Sequence, residues 1–201
     1  INGDREAAYI YNGVKASGCL SADNSLIIDI GGGSVEFIIC NQEEIIWKQS
    51  FEIGAARLMD RFHNSDPIAA GSVKELQTYL DQVLAPLFEA ARRINISRLI
   101  GSSGAFETFA EVMELEKGNA FDLKSIKHME FELPHFNTLT TRLISSTHRE
   151  RAATKGIIPL RVDMIVVASL ITRYVLSQLQ INEVAMSMYS LKEGVLVELL
   201  G

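Results

Sequence analysis

SLIIDIGGGSVEFIIC, the stretch from Ser25 to Cys40, contains two apolar runs rich in β-branched residues with three consecutive glycines between them. Such apolar runs are typical of β-strands, and consecutive glycines are typical of a tight turn. The stretch therefore predicts strand, loop and strand. A third apolar run at 45–53 follows a polar turn at 41–44 and predicts another strand. Together these segments predict an antiparallel meander.

The rest of the chain alternates between helix and strand patterns. Helical spacing is found at 5–14, 54–62, 72–95, 106–113, 134–146 and 161–180, and after residue 190. Short strands are predicted at 97–100, 128–132 and 183–187. Ser72 with Glu75, Thr147 with Glu150, and Ser190 with Glu193 are candidate capping boxes, and Pro86 is expected to kink the helix at 72–95. The pattern predicts a layered α/β domain with the helices at 72–95 and 161–180 covering its sheet.

The composition limits the possible functions. The chain has 201 residues, 47% of them apolar, and a formal net charge of −6. These values exclude a disordered chain, and the scattered cations argue against a nucleic-acid groove. The longest apolar run, at 164–172, is too short to span a membrane, and the first residues do not resemble a secretion signal. Cys19 and Cys40 lack metal-site or redox spacing, which favours a reduced, cytoplasmic setting.

The glycine loop is a candidate phosphate site. Gly31, Gly32, Gly33 and Ser34 present backbone N–H groups that could hold phosphate oxygens without side-chain bulk. The loop lacks the lysine of a Walker loop and precedes a strand, which also excludes a Rossmann turn. Two carboxylates border it, Asp29 and Glu36, and they would repel phosphate unless a divalent cation such as Mg²⁺ lay between them. The alternative is a flexible hairpin whose acidic side chains are solvated.

A second loop, at 101–104, ends a predicted strand and begins a helix. Ser102, Ser103 and Gly104 would place hydroxyl and N–H groups at a helix N-terminus, where an anion is favoured. The alternative is a serine N-cap followed by a packing glycine. Arg149 and Arg151 could clamp phosphate or could be solvated residues at a helix start. Arg161 and Asp163 are expected to fix the start of the next helix, and the four histidines show no metal-ligand spacing.

The sequence resembles the exopolyphosphatase and guanosine pentaphosphate phosphohydrolase family. DIGGGSVE at 29–36 is similar to the signature of that family, which usually has Thr where this chain has Val35. Further similar segments follow in the order of the family: NGDREA at 2–7, IYNGV at 10–14, GAARL at 54–58, GSSG at 101–104, PLRVD at 159–163, and Ser187 through LKEG at 191–194. The resemblance covers nearly the whole chain.

The resemblance implies an actin-like ATPase or ribonuclease-H-like fold and Mg²⁺-dependent removal of a terminal phosphate from polyphosphate or guanosine pentaphosphate. Glu6 corresponds to the catalytic glutamate of the family, which positions or deprotonates the attacking water. Asp29 and Glu36 correspond to acids near the metal, and the two loops to phosphate-binding loops. Residues 1–201 correspond to the second domain of the family core. The absent first domain would be a partner, and we expect this chain alone to be inactive. The apolar helix at 161–180 suits the core and a dimer interface equally well, so a homodimer through it remains open from the sequence.

Two other functions remain open from the sequence. A nucleotide- or phosphate-sensing domain could keep the same fold without catalysis. A sugar or acetate kinase would also use glycine-rich phosphate loops, but it would need a pocket for its acceptor and contacts to a nucleotide base, and the sequence shows no sign of either.

Overall fold

The computed structural model describes residues 3–200, without the side chains of Asp4 and Leu200. Asn2, which contributes to the resemblance, lies outside the described residues. The strands within that range are β1 Ser25–Ile30, β2 Val35–Cys40, β3 Ile45–Phe51, β4 Arg98–Gly101, β5 His128–Phe131 and β6 Glu183–Ser187. The helices are α1 Gly3–Ala16, α2 Ala55–Phe62, α3 Ala70–Val83, α4 Ala85–Ala91, α5 Gly104–Glu116, α6 Leu133–Ser145, α7 His148–Ala153, α8 Met164–Leu179 and α9 Leu191–Leu200.

The strands form one mixed sheet in the order β3-β2-β1-β4-β6-β5. The predicted meander is confirmed, since β1 pairs antiparallel with β2 and β2 with β3. β4 lies parallel to β1 and β6 parallel to β4, while β5 closes the edge antiparallel to β6. Because parallel strands end at the same edge, the loops that follow β1 and β4 meet there. The sheet topology thus brings the two candidate phosphate loops together.

Helices cover both faces of this sheet. One face buries Ile27, Ile38 and Ile100 against α1. The opposite face buries the alternate residues of the same strands, such as Ile28 and Phe37, under the larger helical layer that includes α8. This alternation follows from the two-residue period of a strand, which sends successive side chains to opposite faces. Within the described residues, no helix is both long and apolar enough to span a bilayer.

Helices α1 and α9 cross at unusually short distance because glycines lie at the crossing. A Cβ atom added to Gly194 would lie 1.7 Å from the carbonyl oxygen of Tyr9. One added to Gly13 would lie 2.1 Å from the carbonyl oxygen of Ser190. Since α1 also carries Glu6, this crossing fixes the position of that carboxylate relative to the sheet.

Several predicted helix limits are wrong. The helix expected at 72–95 is divided at Leu84 into α3 and α4, and Pro86 lies in the first turn of α4, where a missing N–H costs nothing. The Ser72 capping box is absent, because α3 already begins at Ala70. The Thr147–Glu150 capping box is confirmed. The helix expected at 161–180 begins only at Met164, after a 3-10 turn at Pro159–Arg161.

Candidate functional site

Polar residues replace the apolar pattern of β1, β2 and β3 at the sheet edge where the two candidate phosphate loops lie. Asp29 lies directly opposite Glu36, and Glu36 directly opposite Ser50. Directly opposite residues point to the same face of a sheet. Here that face is the one covered by α1, since Asp29 and Glu36 alternate in step with Ile27 and Ile38. The Ser50 hydroxyl donates a 2.6 Å hydrogen bond to Glu36 Oε1, and Glu36 is only 2% exposed.

Three carboxyl groups influence one another at this point. Burial raises the pKa of Asp29 to about 7, against the lowering effect of a 2.8 Å hydrogen bond from the Ser102 hydroxyl, and Glu36 and Glu6 raise it further. Burial and the charge of Glu36 also raise the pKa of Glu6 on α1. Like charges raise each other's pKa only at short range. The fold therefore collects the predicted catalytic residue and both predicted metal ligands in one place.

These carboxylates suit a magnesium ion whose remaining coordination positions are filled by the substrate and water. Among residues 3–200, no group of three or more acidic, histidine or cysteine side chains forms a ready metal cage. Mg²⁺ commonly takes one or two carboxylates and fills its other positions with phosphate oxygens and water. Asp29 and Glu36 fit that requirement, and a cation between them would relieve the repulsion that raises the pKa of Asp29. The magnesium site itself stays a prediction.

Replacing Asp29 with Asn should stabilise the metal-free protein at alkaline pH. Because the pKa of Asp29 is raised above its ordinary value, the folded state retains a proton that the unfolded chain loses between about pH 4 and pH 7. The free energy of unfolding of the wild type therefore falls as pH rises through this window. We expect Asp29→Asn to be more stable than the wild type at about pH 8, on the order of 2 kcal/mol.

Denaturant unfolding across the pH series, with a chelator present, measures this difference. At about pH 3 the two proteins should be nearly equally stable, because the Asp29 carboxyl group is then largely neutral in both states. Adding Mg²⁺ at alkaline pH should stabilise the wild type but not Asp29→Asn. A variant that is no more stable than the wild type at any pH would show that Asp29 carries no uncompensated charge.

The glycine loop turns its carbonyl groups towards α2. The carbonyl oxygens of Gly31, Gly32 and Gly33 accept hydrogen bonds from the first N–H groups of that helix at 2.8, 3.1 and 3.1 Å. The N–H of Gly31 donates to the Ser34 carbonyl at 3.0 Å. No partner is found within the described residues for the N–H groups of Gly32, Gly33 and Ser34. The loop thus has its acceptors occupied and its donors available, as an anion site requires.

The glycines at and near this loop leave space for a ligand and let α2 approach the loop closely. None of the three has a positive φ, so the backbone conformation alone would tolerate other residues. A Cβ atom added to Gly32 or Gly33 would meet nothing closer than 3.9 Å, which leaves bare backbone open to a ligand. Gly54 is different, because a Cβ atom there would lie 2.4 Å from the backbone of the glycine loop. Gly54 therefore allows α2 to reach the loop.

The second loop is hydrogen-bonded to the end of β1, directly before the glycine loop. Ser102 donates to Asp29, and the N–H of Ile30 donates to the Ser103 hydroxyl at 3.1 Å. Ser103 occupies the N-cap position of α5, but its side chain makes no capping bond. A Cβ atom on Gly104 would lie 2.0 Å from the Arg161 guanidinium, so the serine at the N-cap and the packing glycine of the alternative are present, and only the side-chain capping bond is not. The N–H groups of Gly104 and Ala105 begin α5 at the same edge as the glycine loop.

An apolar cavity of about 340 Å³ lies between the two loops and the start of α8. Its lining is Ile30, Gly31, Gly32, Ala55, Gly104, Ala105, Leu160, Arg161, Met164, Ile165 and Ala168. The Arg161 guanidinium is the charged group of this lining, and it donates 3.1 Å hydrogen bonds to Glu107 and to Thr108 on α5. Sequence reasoning missed this position, because a single arginine before a helix carries no signal of the cavity beside it.

The other basic and acidic residues considered from the sequence have different roles. Arg151 is 1% exposed, and its hydrogen bonds go to protein groups, so it can neither clamp phosphate nor be solvated. Arg149 is exposed. Asp163 occupies the N-cap of α8 without a side-chain capping bond, and its carboxylate accepts from His148 and Arg151 instead. Asp163 therefore stands at the start of α8, as expected, but it does not hold that start through a side-chain capping bond.

Comparisons with known proteins agree on one family. The model described as the Ppx/GppA phosphatase family matches residues 1–201. An exopolyphosphatase of Cytophaga hutchinsonii, known from a crystal structure, is 46% identical, with a TM-score of 0.95 over 100% of this chain and 64% of that one. Exopolyphosphatase 2 of Mycobacterium tuberculosis is 24% identical over 100% of this chain and 63% of its own length. A guanosine-5'-triphosphate,3'-diphosphate pyrophosphatase of Aeromonas hydrophila is 24% identical over 100% of this chain and 38% of its own length.

Two facts follow from these comparisons. The expected actin-like, ribonuclease-H-like fold is confirmed by the structural likeness and by the mixed sheet. The chain spans less than two thirds of the length of each of these three relatives.

Proposed function

Because this chain belongs to the Ppx/GppA phosphatase family, we propose that the protein containing it hydrolyses phosphoanhydride bonds and releases the terminal phosphate of inorganic polyphosphate or guanosine pentaphosphate. The relatives named as exopolyphosphatase and as guanosine-5'-triphosphate,3'-diphosphate pyrophosphatase support a hydrolase of this kind. Those relatives are longer than this chain, and we propose that a further domain of the same protein completes the cleft. This chain alone is then inactive.

One observation carries the proposal. The interacting carboxyl groups of Glu6, Asp29 and Glu36 lie at the sheet edge where a loop has three N–H groups without partners among residues 3–200. Phosphoryl transfer needs little covalent chemistry from the protein, and catalysis consists of positioning and of compensating negative charge. Free N–H donors and a cation held by carboxylates provide that compensation. An additional carboxylate, that of Glu6, orients the attacking water.

Each residue has a defined part in this reaction. Gly32, Gly33 and Ser34 bind the oxygens of the phosphate chain through their N–H groups. Asp29 and Glu36 would hold Mg²⁺, which would compensate the charge of the transferred phosphate. Glu6 orients the attacking water and accepts its proton, and its raised pKa makes it a stronger base than a solvated carboxylate.

The cavity beside the glycine loop has the size and the apolar lining that suit a nucleoside. Its lining is apolar apart from Arg161, and its volume of about 340 Å³ lies at the lower end of the usual range for small-molecule sites. A phosphate chain needs polar partners and would gain nothing from apolar walls, whereas a base would bury its faces there. Guanosine pentaphosphate is therefore a substrate that the chain can hold at both its phosphate and its nucleoside ends.

A phosphate-release assay on the native full-length protein tests the proposal. Inorganic polyphosphate and guanosine pentaphosphate are supplied separately with Mg²⁺, and we expect release from at least one. Gly33→Ala should reduce release about tenfold or more through loss of phosphate affinity, with little change in stability because a Cβ atom at Gly33 has open space.

The alternative of a non-catalytic sensor makes a different prediction. A sensor would bind guanosine pentaphosphate in a calorimeter and release no phosphate from it. Tight binding without release by the folded full-length protein would therefore overturn hydrolysis and favour the sensor.

A further inference from the structure

Arg151 is a fully buried charged residue away from the candidate active site. Its side chain is 1% exposed, and its Nε atom donates a 2.6 Å hydrogen bond to the carbonyl oxygen of Val162. Nη2 donates to the Asp163 carboxylate at 2.9 Å, and Nη1 donates to the carbonyl oxygen of Ser146. A weaker contact of 3.4 Å joins Nη2 to Asp66. Burying a guanidinium costs free energy unless it is paired in this way, so the arrangement requires a structural or functional reason.

The contacts of Arg151 concentrate on the turn that carries Arg161. Val162 and Asp163, which it holds through a backbone and a side-chain oxygen, directly follow Arg161 in sequence. Leu160 and Arg161, on the other side of this attachment, line the apolar cavity beside the glycine loop. Arg151 thus holds the end of the turn at Val162 and Asp163, and the two residues before them, Leu160 and Arg161, form a wall of the cavity.

The outer side of this wall has little support from burial. Leu160 is 74% exposed and the neighbouring Ile158 is 45% exposed, whereas Val162 is 4% exposed and belongs to the core. Arg161 donates side-chain hydrogen bonds to Glu107 and Thr108 on α5. The Arg151 guanidinium adds hydrogen bonds to the backbone of Val162 and to the carboxylate of Asp163, where the turn enters the core.

We propose that Arg151 is a positioning residue, which holds Val162 and Asp163 so that Leu160 and Arg161 form the wall of the cavity for the nucleoside part of the substrate. This inference rests on the proposed function, because it assigns guanosine pentaphosphate to that cavity. It adds a residue that touches no substrate and acts through the turn alone.

Asp163→Ala tests this role more cleanly than a change of Arg151, which would leave the carbonyl oxygens of Ser146 and Val162 without their donor. The carboxylate of Asp163 is 42% exposed and its removal frees one end of the turn. We expect the KM for guanosine pentaphosphate to rise about tenfold in the full-length protein while kcat stays within about twofold, since only binding is affected. Asp163→Asn keeps an oxygen acceptor for Arg151 and should retain a KM near that of the wild type.

Asp66→Ala is the matched control. Asp66 contacts the same guanidinium and accepts two 2.8 Å hydrogen bonds from the N–H of His148, but it belongs to the loop before α3 and not to the turn. Its removal should lower the melting temperature and leave KM unchanged. An equal rise of KM in Asp66→Ala and Asp163→Ala would show general destabilisation and overturn the positioning role, as would an unchanged KM in Asp163→Ala.

The calorimetric Kd for guanosine pentaphosphate keeps this inference separate from hydrolysis. If the wild type binds the nucleotide without releasing phosphate, the proposed function fails, and the same tenfold weakening in Asp163→Ala would still support the positioning role. If the wild type hydrolyses polyphosphate but neither binds nor hydrolyses the nucleotide, hydrolysis stands and the positioning role is overturned.

Discussion

Replacing Glu6 with Gln lowers the kcat of phosphate release by about 10²- to 10⁴-fold, the usual contribution of a general base. The amide has nearly the shape of the carboxylate but cannot accept the proton of the attacking water. Glu6 lies on α1, where burial and the negative charge of Glu36 raise the pKa of Glu6 and thereby its strength as a base. Since the phosphate groups are bound by the glycine loop, KM should change little. Steady-state kinetics of the full-length protein with Mg²⁺ measure both constants.

Glu43→Gln provides the control for this substitution. Glu43 is an exposed carboxylate in the turn between β2 and β3, at the opposite end of the strands from Asp29. Glu43→Gln removes the same negative charge as Glu6→Gln, so an effect of net charge alone would lower kcat in both variants. Turnover by Glu6→Gln near that of the wild type would remove Glu6 from the reaction and leave the water without a base among the residues placed here.

Replacing Gly194 with Ala destabilises the protein by about 3 kcal/mol or more, at the upper end of the range for overpacked sites. The added methyl group would lie 1.7 Å from the carbonyl oxygen of Tyr9 and 2.6 Å from its carbonyl carbon. These are backbone atoms of α1, so the clash is relieved only if α1 and α9 move apart. Thermal unfolding should show a melting temperature lower by about 10 °C.

The same substitution should lower kcat, because the helix that moves carries Glu6. A displacement of about 1 Å can reduce a rate about 100-fold when the reacting groups must be aligned. Gly71→Ala is the matched control. Gly71 lies in α3, a Cβ atom there meets nothing within 4 Å, and the change should stabilise the helix by about 0.5–1 kcal/mol without an effect on kcat. An unchanged melting temperature in Gly194→Ala would mean that the helices do not cross as closely as described.

The local elements around the glycine loop could be predicted closely from sequence. β1, β2 and β6 begin and end at the predicted residues. Runs of β-branched side chains bounded by glycine or polar residues define both ends of a strand. The helix at 72–95 shows where the same reasoning fails. Its apolar spacing continues across Leu84, so the pattern cannot show that the chain breaks there and begins α4 with Pro86 in its first turn.

The candidate site could be predicted only in its parts. Glycines and acidic residues beside a strand indicate phosphate and metal chemistry wherever they occur, and this is a property of the residue types. Arg151 and Arg161 show the limit of such reasoning. Both lie near helix starts, where charged residues are usually solvated, yet one is fully buried and the other lines a cavity. PLRVD at 159–163 contributes to the family resemblance, but neither it nor the sequence around Arg151 shows that one side chain is buried and the other lines a cavity.

The amino-acid sequence by itself determined the fold class, the strand–loop–strand at Ser25–Cys40, and the family, because these depend on local pattern and on residue types at short spacing. Only the tertiary structure decided which residues meet. Glu6 reaches Glu36 because Gly13 and Gly194 let α1 pack closely under α9, and Ser102 reaches Asp29 because β4 lies parallel to β1. Contacts between residues distant in sequence depend on how whole elements pack, and the free energy of that packing is spread over the entire core rather than encoded in any one segment.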